Sequence, residues 1–182
     1  MKIISGALEI REFGLWDADQ VAAFLAAEDR TALPPSSPEV VGDVDEWLAE
    51  RVHQKRLDGQ GVNLAIVEQA SGEIVGSIGL RDVDWEAGRS EVGYGVRADR
   101  RGRGYATEAA GAVGRWALTS GGMRRVQLRA RVDNVASLRV AEKAGFQREG
   151  TLRMADWDDG EAHDLAVFSM IATDLETAQV AR

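Results

Sequence analysis

Apolar and charged side chains alternate along LEIREF (residues 8–13), as they do on a strand with one buried face. Asp17 follows where a helix N-cap belongs, ahead of VAAFLAAE with apolar residues at helical spacing. TALPPSSPE (31–39), with three prolines and two serines, interrupts regular structure. DVDEWLAERVHQKRL (43–57) then sets Val44, Trp47, Leu48 and Val52 on one stripe and predicts a second, amphipathic helix. VNLAIVE (62–68) and EIVGSIGLRDV (73–83), joined by QASG, read as a hairpin, and SEVGYGV (90–96) adds a third strand after the turn WEAGR.

Beyond Val96 the element types alternate. A helix is predicted from Tyr105 to Leu118, a breaker at SGG, a strand over RRVQLRARV (124–132), and a short helix from Val135 to Ala144 with Gly145 as its C-cap. FQREGTL (146–152) and HDLAVFSMI (163–171) predict a last strand pair around WDDGE. The order β-α-α-β-β-β-α-β-α-β-β points to an α/β class, an α+β mixed sheet, with no repeat or linker to divide it. A chain of 182 residues, 45% hydrophobic, is long enough for one well-buried core and short for two, so residues 1–182 are expected to form one domain.

Charge and composition narrow the chemistry. A net charge of −8 argues against nucleic acid as a partner, since such proteins present basic surfaces to phosphates. With no cysteine there is no disulfide, thiolate metal site or cysteine nucleophile, and His53 and His163 alone make a poor zinc site, so no metal is expected. The start, MKIISGALEIREF, lacks the apolar core of a secretory signal, and no stretch approaches the roughly 20 apolar residues of a membrane span. The expectation is a cytoplasmic protein without a membrane partner.

Against that acidic background stands RRGRGYATEA (100–109). A strand ending at Val96, a turn rich in arginine and glycine, and then a helix form the geometry of an anion site. The first helical N–H groups have no intrahelical partner, and the helix dipole places about half a positive charge there. Gly102 and Gly104 suit left-handed backbone angles and close approach to an oxygen, Arg101 and Arg103 add charge, and small Ala106 and Thr107 keep the mouth open. There is no G-x-x-x-x-G-K-[ST], and G-x-G-x-x-G fails at Thr107, so nucleotide hydrolysis and dinucleotide binding lose ground. Taken alone, the stretch reads equally well as a surface turn.

Its surroundings decide between the two. Arg101-Gly102-Arg103-Gly104-Tyr105-Ala106 resembles the R/Q-x-x-G-x-G/A pyrophosphate motif of the GNAT superfamily of acetyl-CoA-dependent N-acetyltransferases. SEVGYGVRADRRGRGYATEA (90–109) and DNVASLRVAEKAGFQREGTLR (133–153) are similar to the RimJ/RimL-type branch, which includes enzymes that acetylate ribosomal-protein N-termini. The resemblance is close over residues 91–153. It implies a central, mostly antiparallel sheet that splays at the acetyl-CoA site and is flanked by helices. It further implies that the strand carrying Val96 pairs with the pantetheine arm, that N–H groups of residues 102–106 hold the diphosphate, and that an amine attacks the thioester directly. The acceptor is a protein N-terminus or a small-molecule amine such as an antibiotic or polyamine, and a homodimer is consistent with the family. An acetyl-CoA-binding sensor without turnover is the alternative of a different class.

Glu91 is the first candidate base, since it shares a strand face with Gly93 and Gly95 and nothing bulky is expected between it and the acetyl group. The competing reading pairs it with Arg89 or Arg129. Asp164 is the weaker candidate. Asn134 suits the N-cap of the following helix, and the resemblance adds a contact to pantetheine. By the same resemblance Ser137 hydrogen-bonds the coenzyme sulfur. The family's usual tyrosine acid is replaced by Ala141, and Tyr94, on the face opposite Glu91, is expected in the core. Trp47 and Trp116 fall on helical stripes and are expected to pack, whereas Trp85 and Trp157 sit in turns and, with His163, are candidates for the acceptor site. Asp43, Asp45 and Glu46 suit either a cationic acceptor or the dipole of a solvated helix start.

Overall fold

The computed structural model describes residues 1–27, 30–158 and 160–180. Glu28, at the end of the first predicted helix, and residue 159, in the WDDGE turn, lie outside them. Eight strands form one sheet in the order β1-β2-β3-β4-β5-β6-β8-β7. They are β1 (Lys2–Ser5), β2 (Leu8–Glu12), β3 (Val62–Glu68), β4 (Ile74–Asp84), β5 (Arg89–Val96), β6 (Arg125–Arg131), β7 (Gln147–Asp158) and β8 (Glu161–Ile171). All neighbours run antiparallel except β5 and β6, which are parallel. Parallel neighbours need a crossover, and the helix α4 (Tyr105–Thr119) supplies it.

Both sheet faces are covered, because the strands alternate their apolar residues between them. Leu8, Ile10, Leu64 and Ile66 share one core with Ala109, Ala110 and Val113 of α4 and with Ala141 of α5 (Val135–Lys143). On the other face Ala65, Val67 and Ile74 pack with Val21 and Phe24 of α1 (Ala18–Ala26) and with Trp47 and Leu48 of α2 (Val44–Ala49). Phe13 and Trp47 meet edge to face, with ring centroids 5.3 Å apart.

Three details differ from the sequence expectations. The single helix expected over residues 43–57 is divided into α2, a 3-10 turn at Arg51–His53 and α3 (Gln54–Leu57). The Val52 carbonyl accepts from the Asn63 side-chain amide at 3.2 Å instead of serving a continuous helix. Asp17 does not cap α1 with its side chain; it is buried, accepts from the Gly14 N–H at 2.9 Å and is gripped by both Arg11 terminal nitrogens at 2.7 Å. β1 and the C-terminal helix α6 (Ala172–Val180) are additional elements, β1 joined to β2 by a turn at Gly6 with φ +46°.

Candidate active site

The site begins where two strands part. β5 and β6 are paired at Arg89/Arg125, Ser90/Val126 and Glu91/Gln127, and not beyond. Beyond Glu91 the two strands diverge, while the other edge of β5 stays paired to β4. Gly76 permits the close approach on that side, since a Cβ there would fall on the Gly95 carbonyl oxygen. A cavity of about 390 Å³ opens at the splay. Its walls are Leu33, Pro34 and Pro35 from the loop after α1, residues 77–81 of β4, 92–95 of β5, Leu128 and Arg129 of β6, and Ser137 of α5.

The arginine- and glycine-rich turn lies past the end of β5. Gly102 has φ +76° and Gly104 φ +85°, in the left-handed region where a side chain is strained. The first intrahelical bond of α4 runs from the Glu108 N–H to the Gly104 carbonyl at 3.0 Å. The N–H groups of Tyr105, Ala106 and Thr107 precede it and have no intrahelical acceptor. A Cβ on Gly102 or Gly104 would meet nothing within 4 Å, so the space before the helix is open. These residues fit a diphosphate, held by backbone N–H groups at a helix start.

The side chains of that turn are mostly engaged elsewhere. Arg101 donates from Nε to the Val96 carbonyl at 3.2 Å, which ties the turn to the end of β5. Arg100 is paired with Glu73. Tyr105 is buried and its hydroxyl donates to Glu68, so only its N–H faces the helix mouth. This bond raises the Tyr105 phenol and is the largest cause holding the Glu68 carboxyl below its ordinary range. Arg103 lies beside the same pair, lowering the Tyr105 phenol by a hydrogen bond and then by its charge, and the Glu68 carboxyl by its charge.

Glu91 stands at the last paired position of the splay and is 3% exposed. One carboxylate oxygen accepts from Nε and a terminal nitrogen of Arg81, and the other from Nε of Arg129, with the Gln127 amide at 3.5 Å. The expectation that nothing bulky covers the Gly93 face is corrected here, because the Arg81 guanidinium lies 3.7 Å from where a Gly93 Cβ would be. Arg129 is the anticipated partner; Arg89 pairs instead with Asp84 at 3.1 Å. The Asp164 carboxylate is engaged where the β7–β8 register shifts, accepting from the Met154 N–H at 2.9 Å.

The remaining candidates separate cleanly. Asn134 caps α5, accepting from the Ser137 N–H at 3.1 Å, and Ser137 lines the cavity. Ala141 is fully buried. None of the five tryptophans, nor His163, lines the cavity, and Trp85 donates to the Gly59 carbonyl at 2.6 Å. Asp43, Asp45 and Glu46 are exposed at the start of α2 and do not line it either, so they are a solvated helix start. Among the described residues no cluster of three or more His, Cys, Asp or Glu side chains is arranged to hold a metal, and no helix is long and apolar enough to cross a membrane.

The family model of the acetyltransferase (GNAT) domain matches residues 7–147, most of the chain and the whole of this site. The chain belongs to the GNAT acetyltransferase family. An uncharacterized N-acetyltransferase, p20, of Bacillus licheniformis is 26% identical over 164 residues, covering 90% of this chain and 92% of that protein. Among solved structures, the ribosomal L7/L12 α-N-protein acetyltransferase RimL in complex with coenzyme A superposes with a TM-score of 0.78 at 20% identity, covering 94% of this chain and 98% of that one. The microcin C7 self-immunity acetyltransferase MccE, in complex with acetyl-CoA and AMP, gives 0.76 at 20% identity, covering 91% and 92%. Membership of the GNAT family makes the protein an acetyl-CoA-dependent N-acetyltransferase.

One residue of this GNAT site has a second place that sequence reasoning did not give it. Tyr94 packs against the core as expected, yet it also lines the cavity. Its hydroxyl is buried close to Ser137, in no hydrogen bond of ordinary geometry among the described residues, and burial raises its pKa despite that neighbour. Strand alternation correctly put Tyr94 opposite Glu91. It carries no hint that the splay exposes both faces of β5 to one cleft.

Proposed function

We propose that the acceptor is an α-amine, as at a protein N-terminus or on a small amino-acid-like molecule. The observation that carries this reading is the state of Glu91, whose two oxygens are already occupied by guanidinium groups. No carboxylate lines the cavity at the splay among the described residues, and neither histidine does. An amine must lose its proton before it can attack. At pH 7 that costs about 1.4 kcal/mol for an α-amine of pKa near 8, against about 4.6 kcal/mol for a lysine-like amine near 10.4. A site without a well-placed base suits the first.

The family resemblance supplies the chemistry, direct attack on the thioester. In this reading the amine nitrogen bonds to the carbonyl carbon, the carbon–sulfur bond breaks, and the amine's proton leaves to water. Residues 102–107 hold the diphosphate, and the strand carrying Val96 receives the pantetheine arm along the stretch of β5 that has parted from β6. Glu91 acts as a positioning residue that fixes Arg81 and Arg129, in place of the base first expected. The Tyr94 hydroxyl, buried and in no hydrogen bond of ordinary geometry among the described residues, delivers its proton to the departing sulfur with Ser137 beside it and regains one from water. Asn134, by holding the Ser137 N–H, sets that hydroxyl in place.

Labelled acetyl-CoA, added with the pure protein to a desalted lysate supplemented with its small-molecule fraction, tests the reading by mass spectrometry. Label on α-amines of proteins or small molecules is the expected result. Label confined to lysine or polyamine nitrogens would remove it, and no label above a Gly104→Val background would favour the sensor.

A further inference from the structure

We propose that the acceptor carries its own anionic group, a carboxylate or phosphate a few bonds from the α-amine, and that Lys55, Arg30, Arg81 and Arg129 form the subsite that receives it. The proposal rests on the α-amine reading above.

The distribution of charge leads there. The chain is acidic, with a formal net charge of −8, yet the cavity at the splay is lined by four cationic side chains and by no carboxylate among the described residues. The four come from separate elements: Arg30 from the turn after α1, Lys55 from α3, Arg81 from β4 and Arg129 from β6. Glu91 neutralises one charge of the Arg81–Arg129 pair from behind, and Asp82, exposed, lies 3.6 Å from Arg129. Lys55 and Arg30 have no carboxylate partner among the described residues. Arg30 donates to the Pro38 and Ser37 carbonyls at 2.8 and 3.1 Å, which braces the proline loop that forms the cavity wall.

Cations in a concave cavity, without a carboxylate partner among the described residues, focus a positive field and are stabilised by an anion that pairs with them. Coenzyme diphosphate does not answer this need, because none of residues 101–107 lines the cavity. The need falls on the molecule that enters from the other side. Guanidinium groups suit a carboxylate or phosphate in two-point contact, and the lysine ammonium adds a mobile point charge. Asp43, Asp45 and Glu46, which suit either a cationic acceptor or a solvated helix start, lie outside the cavity, and its lining carries the opposite sign.

The test uses two sets of acceptors that differ in charge. Dipeptide amides in which alanine is followed by glutamate, glutamine or lysine represent a peptide source, and O-phosphoserine against serine amide represents a small-molecule source. Rates of coenzyme A release are measured with each, and binding of each to the coenzyme A-saturated protein is measured by calorimetry. A preference of about tenfold for the anionic member of at least one set, the size of one charge-assisted contact, is expected. The set that shows it identifies the source. Lys55→Met should reduce the preference to near unity, and Lys55→Glu should turn it toward the lysine peptide.

Turnover with no charge preference in either set overturns the subsite and leaves the α-amine reading standing. Binding ordered by charge without turnover keeps the subsite and overturns the α-amine reading. Loss of acetyl-CoA affinity in Lys55→Glu, in step with the loss of preference, assigns the cations to the coenzyme and overturns the proposal. Neither binding nor turnover of any acceptor overturns it as well.

Discussion

Glu91 and Gln127 are the last residues paired between β5 and β6, so the buried carboxylate stands at the apex of the cleft that opens beyond them. From that apex it holds Arg81 of β4 and Arg129 of β6, one on each side of the parting strands. Glu91→Gln removes the charge that fixes both. A positioning role predicts that kcat/KM falls by about tenfold or more at every pH, with the rising limb of the pH profile unmoved, because that limb belongs to the amine. Loss of the limb itself in the glutamine variant would return Glu91 to the role of base.

Gly104→Val should reduce acetyl-CoA affinity by more than tenfold in calorimetry. The backbone at φ +85° disfavours any side chain by about 1–2 kcal/mol, a β-branched one most, and the new methyl groups would enter the open space before α4. Unchanged affinity would sink the assignment of residues 102–107 to the diphosphate.

Tyr94→Phe should lower kcat with little change in the KM for acetyl-CoA. General-acid catalysis is worth roughly 10²–10⁴-fold, and the low end is expected because burial raises the phenol's pKa and makes it a reluctant donor. Combining Tyr94→Phe with Ser137→Ala should cost less than the product of the two single effects if both hydroxyls serve one sulfur. Full additivity would separate them.

Asn134→Ala should cost about 1 kcal/mol, or about 3 °C in Tm, through loss of the α5 cap. Because the capped N–H belongs to Ser137, kcat should fall with it, and Asn134→Ser should restore both. Recovery of Tm alone would confine Asn134 to stability.

The β7–β8 region predicts an acid sensitivity. Hydrogen bonds from Arg125, and then from Ser169, pull the Glu149 carboxyl down to about 2 from its ordinary 4.5. The folded pKa is the lower one, so the stabilisation is fully present above pH 4.5 and is lost as pH falls toward 2. The carboxylate is 43% exposed, and solvent screening keeps the contribution under about 1 kcal/mol. Denaturant titrations should show wild type and Glu149→Gln converging across that window. A constant gap between them would disprove the linkage.

Much of this architecture is legible residue by residue. The alternation in LEIREF, SEVGYGV and RRVQLRARV marks β2, β5 and β6, and the stripe from Tyr105 marks α4, because each periodicity reports a local geometry facing a core. β1 is not legible, since KIIS is too short to alternate and depends on pairing with β2. The division of residues 43–57 has no glycine or proline to announce it; it follows from the Val52 carbonyl meeting Asn63, 11 positions away.

What the chain determines by itself is therefore what neighbours in sequence can decide. It determines the order of strands and helices, the left-handed glycines ahead of α4, the Asn134 cap, and through its motifs the GNAT family. Which charges meet was decided only by tertiary structure. Glu91 is held by residues 10 and 38 positions away, and the four cations of the cavity come from four elements. Such meetings depend on sheet register and on where β5 leaves β6. No local periodicity encodes either, because both are set by how distant surfaces pack.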